Sequence, residues 1–344
     1  MIRKNLKWVG IVCTFVVATL CLCFFPMNNY VEGPGSADRL AKYITVSGGT
    51  VRQKNSFYMT SVSVAKGTPL INLFAMLNSH YEMVSNDSIV GNQTNQEYEK
   101  VQDVYMSSAE NAAKIVAYKA ANKKIHVKNN GIYVLDVMNK STFYQRLKPG
   151  DVLQRVNKEK INNSSDALTY MKNTKLNQPL TLTVQRGKKH FKLTGKSVHL
   201  QAGRNGIGIS LVDAQKVSTI PNSRINAHGV GGPSAGLMYA LQMYSELVSN
   251  FKIKENIAGT GTIDDKGNVG EIGGIDKKII TANQKGIKIF LTPYVKGTKD
   301  VKKVEPEHLT NYELAEKTVK KYHLNIKIIP ITSFNDAIKY LKES

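Results

Sequence analysis

One uncharged run, residues 8–25, does most to divide this chain of 344 residues. At 1.5 Å of helical rise per residue it would reach roughly 27 Å, at the short end of what crosses a hydrocarbon core of about 30 Å. Arg3, Lys4 and Lys7 precede it with no acidic residue among them, and such cationic flanks stay on the cytoplasmic side of a membrane. The run therefore predicts a single-pass anchor over 8–28, a cytoplasmic stub over 1–7, and the remaining chain outside the cell. No A-x-A site follows it, which favours an uncleaved anchor over a signal peptide. That placement argues against nucleic acid as a partner. The formal charge of +21 then fits a neighbourhood of anionic lipids and wall polymers.

The rest of the sequence has the composition of a folded protein, with 42% hydrophobic and 21% charged residues. All three cysteines (Cys13, Cys21 and Cys23) fall in the apolar run, so neither a disulfide framework nor a cysteine zinc site is expected beyond it. Residues 29–38 are rich in turn formers and read as a tether. A strand is expected over 57–64 and an Ala-rich helix over 106–121. Short strands follow at 132–137, 152–156 and 180–185, with a helix from Ser165 to near Lys172 between the last two. After Gly203 come a Gly-rich stretch, an apolar helix over 233–248, a strand at 288–292, and a last helix capped by Ser333.

Chemistry concentrates in two segments. In 229–236, Ser234 is flanked by Gly231, Gly232 and Gly236 at the start of an apolar helix. Glycines let a substrate backbone approach closely, and free amides at a helix start can stabilise an oxyanion. The competing reading is an ordinary N-cap serine. A serine nucleophile needs a proton acceptor, and 272–280 offers Lys277 and Lys278. On a helix running on from Asp276, Lys278 shares a face with Ile275 and Ala282, the drier side. A lysine base must be neutral, so burial has to pull its pKa several units below about 10.4. His228, six residues before Ser234, is more simply a surface or packing residue. The stretch 193–197 mimics the end of a phosphate-binding loop, but His190 stands where the first glycine is required.

These residues resemble the proteolytic domain of Lon proteases in three ordered blocks. Gly-Pro-Ser-Ala-Gly spans 232–236, Ile-Ala-Gly-Thr-Gly spans 257–261, and Ile-Gly-Gly-Ile-x-x-Lys ends at Lys278 and continues to Pro293. The resemblance implies Ser234 as nucleophile, Lys278 as base 44 residues later, Thr260 as the hydroxyl that orients the lysine, and Gly231, Gly232 and Ser234 as oxyanion and substrate-backbone contacts. Two positions depart from many Lon proteases: Gly231 replaces an Asp, and Thr262 a Glu. Residues 127–197 resemble a PDZ domain, with Asn129, Asn130, Gly131 and Ile132 as its carboxylate loop, and the 106–113 helix resembles the one that opens the Lon domain. Together they look like membrane-bound Lon-like proteases of Gram-positive bacteria (the YlbL/SepM type).

The resemblance implies an α+β fold: an N-terminal transmembrane helix and a Lon-type Ser-Lys domain, begun within 29–126 and completed over 198–344, with a PDZ domain inserted at 127–197. The expected activity is that of an extracytoplasmic, membrane-anchored, ATP-independent serine endopeptidase acting on secreted peptides or flexible segments, with no metal and no cofactor. Expected partners are peptide or protein substrates outside the cell and the membrane, with room for a homo-oligomer. The alternative is a non-catalytic PDZ scaffold carrying a degenerate protease domain.

Overall fold

The structure is a computed structural model that describes residues 2–49, 54–91, 93–200, 203–227 and 231–343. The chain opens with helix α1 (Ile2–Phe24), which packs against the short helix α2 (Pro69–Leu77). The expected transmembrane helix is not borne out: among the described residues no helix is long and apolar enough to cross a membrane. The backbone of α1 takes in Arg3, Lys4 and Lys7. Its uncharged part, 8–24, extends only about 25 Å at helical rise, short of a core of about 30 Å.

The segment expected as a tether is instead a strand, β1 (Asn29–Arg39), paired antiparallel with β2 (Phe57–Lys66) and, at its start, with β3 (Glu82–Ser85). Its turn-forming residues serve the ladder. The Tyr81 ring lies where a side chain on Gly33 would go, and the register shifts between Pro34 and Ala37. Helix α3 (Asn95–Ala120) begins well before the expected helix, at a capping box in which Thr94 and Glu97 satisfy each other's backbone amides.

A second sheet follows, built from β4 (Lys124–Val137), β5 (Val152–Val156), helix α4 (Ser164–Lys172), β6 (Pro179–Arg186), β7 (Lys189–Lys196) and β8 (Ile209–Ile220). Its antiparallel order is β8-β4-β5-β6-β7. The β4–β8 ladder runs from Ile209 opposite Val137 to Ile220 opposite Lys124, so this sheet extends beyond 197.

The chain then returns to the first unit with α5 (Gly236–Leu247), β9 (Ile257–Gly259), α6 (Ile275–Gln284), β10 (Ile289–Pro293), α7 (Asn311–Tyr322), β11 (Lys327–Ile331) and α8 (Phe334–Glu343). The first sheet has the order β11-β10-β9-β2-β1-β3. Neighbours from β11 to β2 are parallel, whereas the β2–β1 and β1–β3 pairs are antiparallel. Helices cover both faces, so the architecture is mixed α/β, not the expected α+β. Alternation along β2 shows why: Phe57 and Met59 join a core with α3, α5 and α8, while Tyr58 joins Ala258 and Phe290 beneath α6 and α7. A sheet buried on both faces suits its runs of apolar residues.

Candidate active site

The Ser234 turn and the helix carrying Lys278 converge at the C-terminal end of β9, where crevices of parallel sheets form. Ser234 lies in a turn just before α5, not inside the helix. Gly232 has φ +86°, a region that favours glycine, and a side chain there would meet Gln102 Oε1 at 3.3 Å. The Ser234 carbonyl accepts the Gly261 amide at 2.8 Å and the Thr260 hydroxyl at 2.9 Å, while the Leu237 amide donates to Gly261 O at 3.1 Å. The 260–261 backbone thus clamps both sides of the turn that carries the serine.

Lys278, on the first turn of α6, is 4% exposed. Its Nζ donates to Ser234 Oγ at 2.9 Å and to Thr260 Oγ1 at 3.3 Å. Desolvation pushes its pKa down to about 8, so a useful fraction is neutral near neutral pH and the Ser234 hydroxyl can donate to the free lone pair. The structure therefore brings together Ser234, Thr260 and Lys278, with Gly231 and Gly232 in the same turn. His228 lies outside the described residues.

Lys277 departs from the expectation of a wetter side chain: it too is buried, at 8% exposure. It meets Glu82 at 2.7 Å and Asp276 at 2.9 Å. Burial pulls its pKa down, but hydrogen bonds and charge from Asp276 and Glu82 outweigh it and raise the pKa overall. Lysine pairing alone could not have found Glu82, which comes from β3, 195 residues away in sequence.

A support was also missed. Asn311, at the start of α7, holds the loop that leads into α6 through its side chain, accepting from the Ile272 amide at 2.8 Å and donating to Ile272 O at 2.9 Å. Glu271 Oε2 accepts the Asn311 amide at 2.7 Å. Burial pushes the Glu271 pKa up to about 7.

The segment expected as the carboxylate loop is strand in the structure. Asn129, Asn130, Gly131 and Ile132 lie within β4, where Gln215 and Asp213 of β8 pair opposite Asn129 and Ile132. Among the described residues β8, not β4, is the edge strand at this end of the sheet, and α4 packs beside it. The Ser164 amide donates to Asp213 Oδ1 at 2.6 Å, and Asn205 Nδ2 to Thr174 O at 3.2 Å. Asn205–Gly206 forms a short strand paired with Val198–His199, and the turn at Gly208, φ +78°, leads from it into β8. The signal that could have found it is the Gly-Ile-Gly-Ile run over 206–209. The stretch 193–196, which mimicked a phosphate loop, is strand β7.

Comparison with known proteins matches two parts of the chain, which overlap at 179–196. Residues 179–328 match the Lon protease (S16) C-terminal proteolytic domain, and residues 116–196 a PDZ domain. The Lon protease of Parabacteroides distasonis is 34% identical over 137 residues, covering 38% of this chain and 16% of that protein. That of Campylobacter jejuni is 34% identical over 109 residues, covering 32% and 12%. The chain thus spans under a fifth of the length of these relatives. The solved PDZ domain of an SdrC-like protein from Listeria monocytogenes is 24% identical, covering 24% of this chain and 88% of that one with a TM-score of 0.23. The chain carries a PDZ domain together with the C-terminal proteolytic domain of Lon proteases, a serine peptidase domain.

Proposed function

We propose that this protein is an ATP-independent serine endopeptidase in which Ser234 is the nucleophile and Lys278 the general base. The observation that carries the reading is the 2.9 Å contact between Lys278 Nζ and Ser234 Oγ inside a pocket that lowers the lysine pKa. Neutral Lys278 takes the Ser234 proton as Oγ attacks the scissile carbonyl. The ammonium then gives that proton to the leaving amine, and water hydrolyses the acyl-enzyme by the same route in reverse. Amides of the turn holding Gly231, Gly232 and Ser234 are the candidates for stabilising the oxyanion. Thr260 orients the lysine while fixing the serine backbone.

No phosphate loop enters this reading, so the substrates are flexible segments that need no unfolding. The PDZ domain would deliver them: a peptide would add to the open edge of β8 beside α4, with the 206–209 backbone holding its terminal carboxylate. Cleavage of fluorescein-labelled casein, an unstructured probe, tests the central claim. The wild type cleaves it, and Ser234→Ala and Lys278→Ala do not. Cleavage retained in either variant would refute the dyad.

A further inference from the structure

Three threonines stand abreast beneath α6. The parallel register sets Gly259 opposite Met59 on one side and Leu291 on the other, and the Thr260 amide continues the ladder to Leu291 O at 3.1 Å. The next residues along, Thr60, Thr260 and Thr292, therefore form a row across β2, β9 and β10. Side chains alternate between the faces of a sheet. Tyr58, Ala258 and Phe290, two positions earlier, pack with Ile275 and Ile279 of α6, so the three threonines point to that same face. The contact between Thr260 Oγ1 and Lys278 Nζ fixes the direction.

All three are buried, at 7%, 1% and 0% exposure. Their hydroxyls differ. That of Thr260 donates to Ser234 O and accepts from Lys278, whereas those of Thr60 and Thr292 have no hydrogen-bond partner among the described residues. A buried hydroxyl left unpaired costs about 1–3 kcal/mol, and a valine would fill the same space without that cost. Two such groups on either side of the residue that touches the base call for a functional reason.

The chemistry of the amine supplies one. Neutral Lys278 has two N–H bonds and a lone pair for the Ser234 proton; once protonated it has three N–H bonds. Ser234 and Thr260 account for two of them. We propose that Thr60 and Thr292 are positioning residues for the base, holding between them one water that accepts the N–H of the Lys278 ammonium left over by Ser234 and Thr260 and donates its own hydrogens to the two threonine hydroxyls. The proton moves from Ser234 Oγ to Lys278 Nζ and on to the leaving amine, and the two threonines exchange none. This rests on the Ser-Lys reading.

The ionisable groups around α6 leave Lys278 to this row. Asp276 on the helix and Glu82 on β3 pair with Lys277, Glu32 on β1 feels the Lys277 charge, and on the α7 side Glu271 binds the Asn311 amide and Glu313 pairs with Lys302. Burial alone lowers the Lys278 pKa.

Thr60→Val, Thr292→Val and the double variant of the full chain test the proposal, with Thr→Ser at each position and casein as the probe. Each valine should lower kcat about tenfold with KM little changed. It should also move the rising limb of the pH profile about half a unit lower, because the ammonium loses an acceptor. Tm should hold or rise, and the serine variants should keep wild-type rates. Wild-type kcat with an unmoved limb in the double variant would overturn the proposal. So would a fall in activity that merely follows a fall in Tm. Ser234→Ala run alongside separates the two levels: if it still cleaves, the dyad fails and this inference with it, whereas an inactive Ser234→Ala beside fully active valine variants removes only the threonines.

Discussion

Two consecutive lysines on α6 occupy opposite kinds of interior. Lys277 and Lys278 are both buried, yet the first has its pKa raised by Asp276 and Glu82 while the second is lowered to about 8. The difference lies in what each meets. Lys277 reaches two carboxylates, at 2.7 and 2.9 Å, whereas Lys278 reaches only hydroxyls. Hydroxyls solvate a cation far less than a carboxylate does, so burial dominates at Lys278. Burial alone does not lower a lysine pKa; burial without a countercharge does. Helix geometry separates the two by about 100°, enough to point one toward β3 and the other toward the end of β9.

The largest expected effect breaks the comparison at its functional side. Lys278→Ala should lower kcat/KM on casein by a thousandfold or more, on the order expected when a nucleophile loses its base. Lys277 cannot take over, since its ammonium is held by carboxylates. In the wild type, kcat/KM should rise with pH through about 8 and level off above it, because only the neutral amine accepts the Ser234 proton. A profile already flat below pH 7 would show that Lys278 is not the base. Thr260→Val should cost less, about ten- to a hundredfold, since it removes hydrogen bonds to the lysine and the Ser234 carbonyl but no reacting group.

Stability should respond with opposite signs at the two positions. A Lys278 pKa of about 8 lies below the unfolded value of about 10.4, so below pH 8 the folded state carries a charge it disfavours, at a cost of about 3 kcal/mol. Wild-type stability should rise between pH 8 and 10.4, where only the unfolded chain still binds that proton. Lys278→Met should raise Tm at pH 7 and flatten that rise. Lys277→Met should lower Tm, through a loss of about 1 kcal/mol of stability after allowing for the exposure of Glu82. Thermal melts of both variants at pH 7 and 10 check the pair, and a shared sign would show that carboxylate pairing does not distinguish them.

What sequence could show of this site follows from the same contrast. Ser234, Thr260 and Lys278 stand out because tight turns around each require neighbouring glycines, a local and visible signature. Lys277 appeared solvated because Glu82 lies on a distant strand. β1 was hidden for a related reason: its glycine and proline residues mimic a tether until Tyr81 and the β2 ladder are in place. The turn at 207–208 leads into β8, whose partner, β4, precedes it by more than 70 residues, with α4 lying between the two in sequence. The apolar run at 8–25 misled in the opposite direction: it is plain in the sequence, but the helix that carries it also takes in Arg3, Lys4 and Lys7 and ends at Phe24, and it is not long and apolar enough to cross a membrane.

The smallest expected effect sharpens the comparison with a buried acid. Glu271, in the loop leading to α6, accepts the Asn311 amide with one oxygen, while its other oxygen is buried without a partner among the described residues. Burial raises its pKa to about 7, with Glu305 and Glu313 adding to the shift. A carboxyl whose folded pKa exceeds its unfolded value of about 4.3 contributes stability below that value and loses it as pH rises through the folded pKa. Glu271→Gln keeps an oxygen for the Asn311 amide without the charge. The variant should therefore gain a few degrees in Tm relative to wild type at pH 8, a gain that shrinks toward pH 5, while kcat on casein changes less than about twofold because Asn311 still holds Ile272. A Tm difference that stays constant from pH 5 to 8 would mean that Glu271 ionises as an exposed acid does. The desolvation that lowers the Lys278 pKa would then not extend to the loop that leads into its helix.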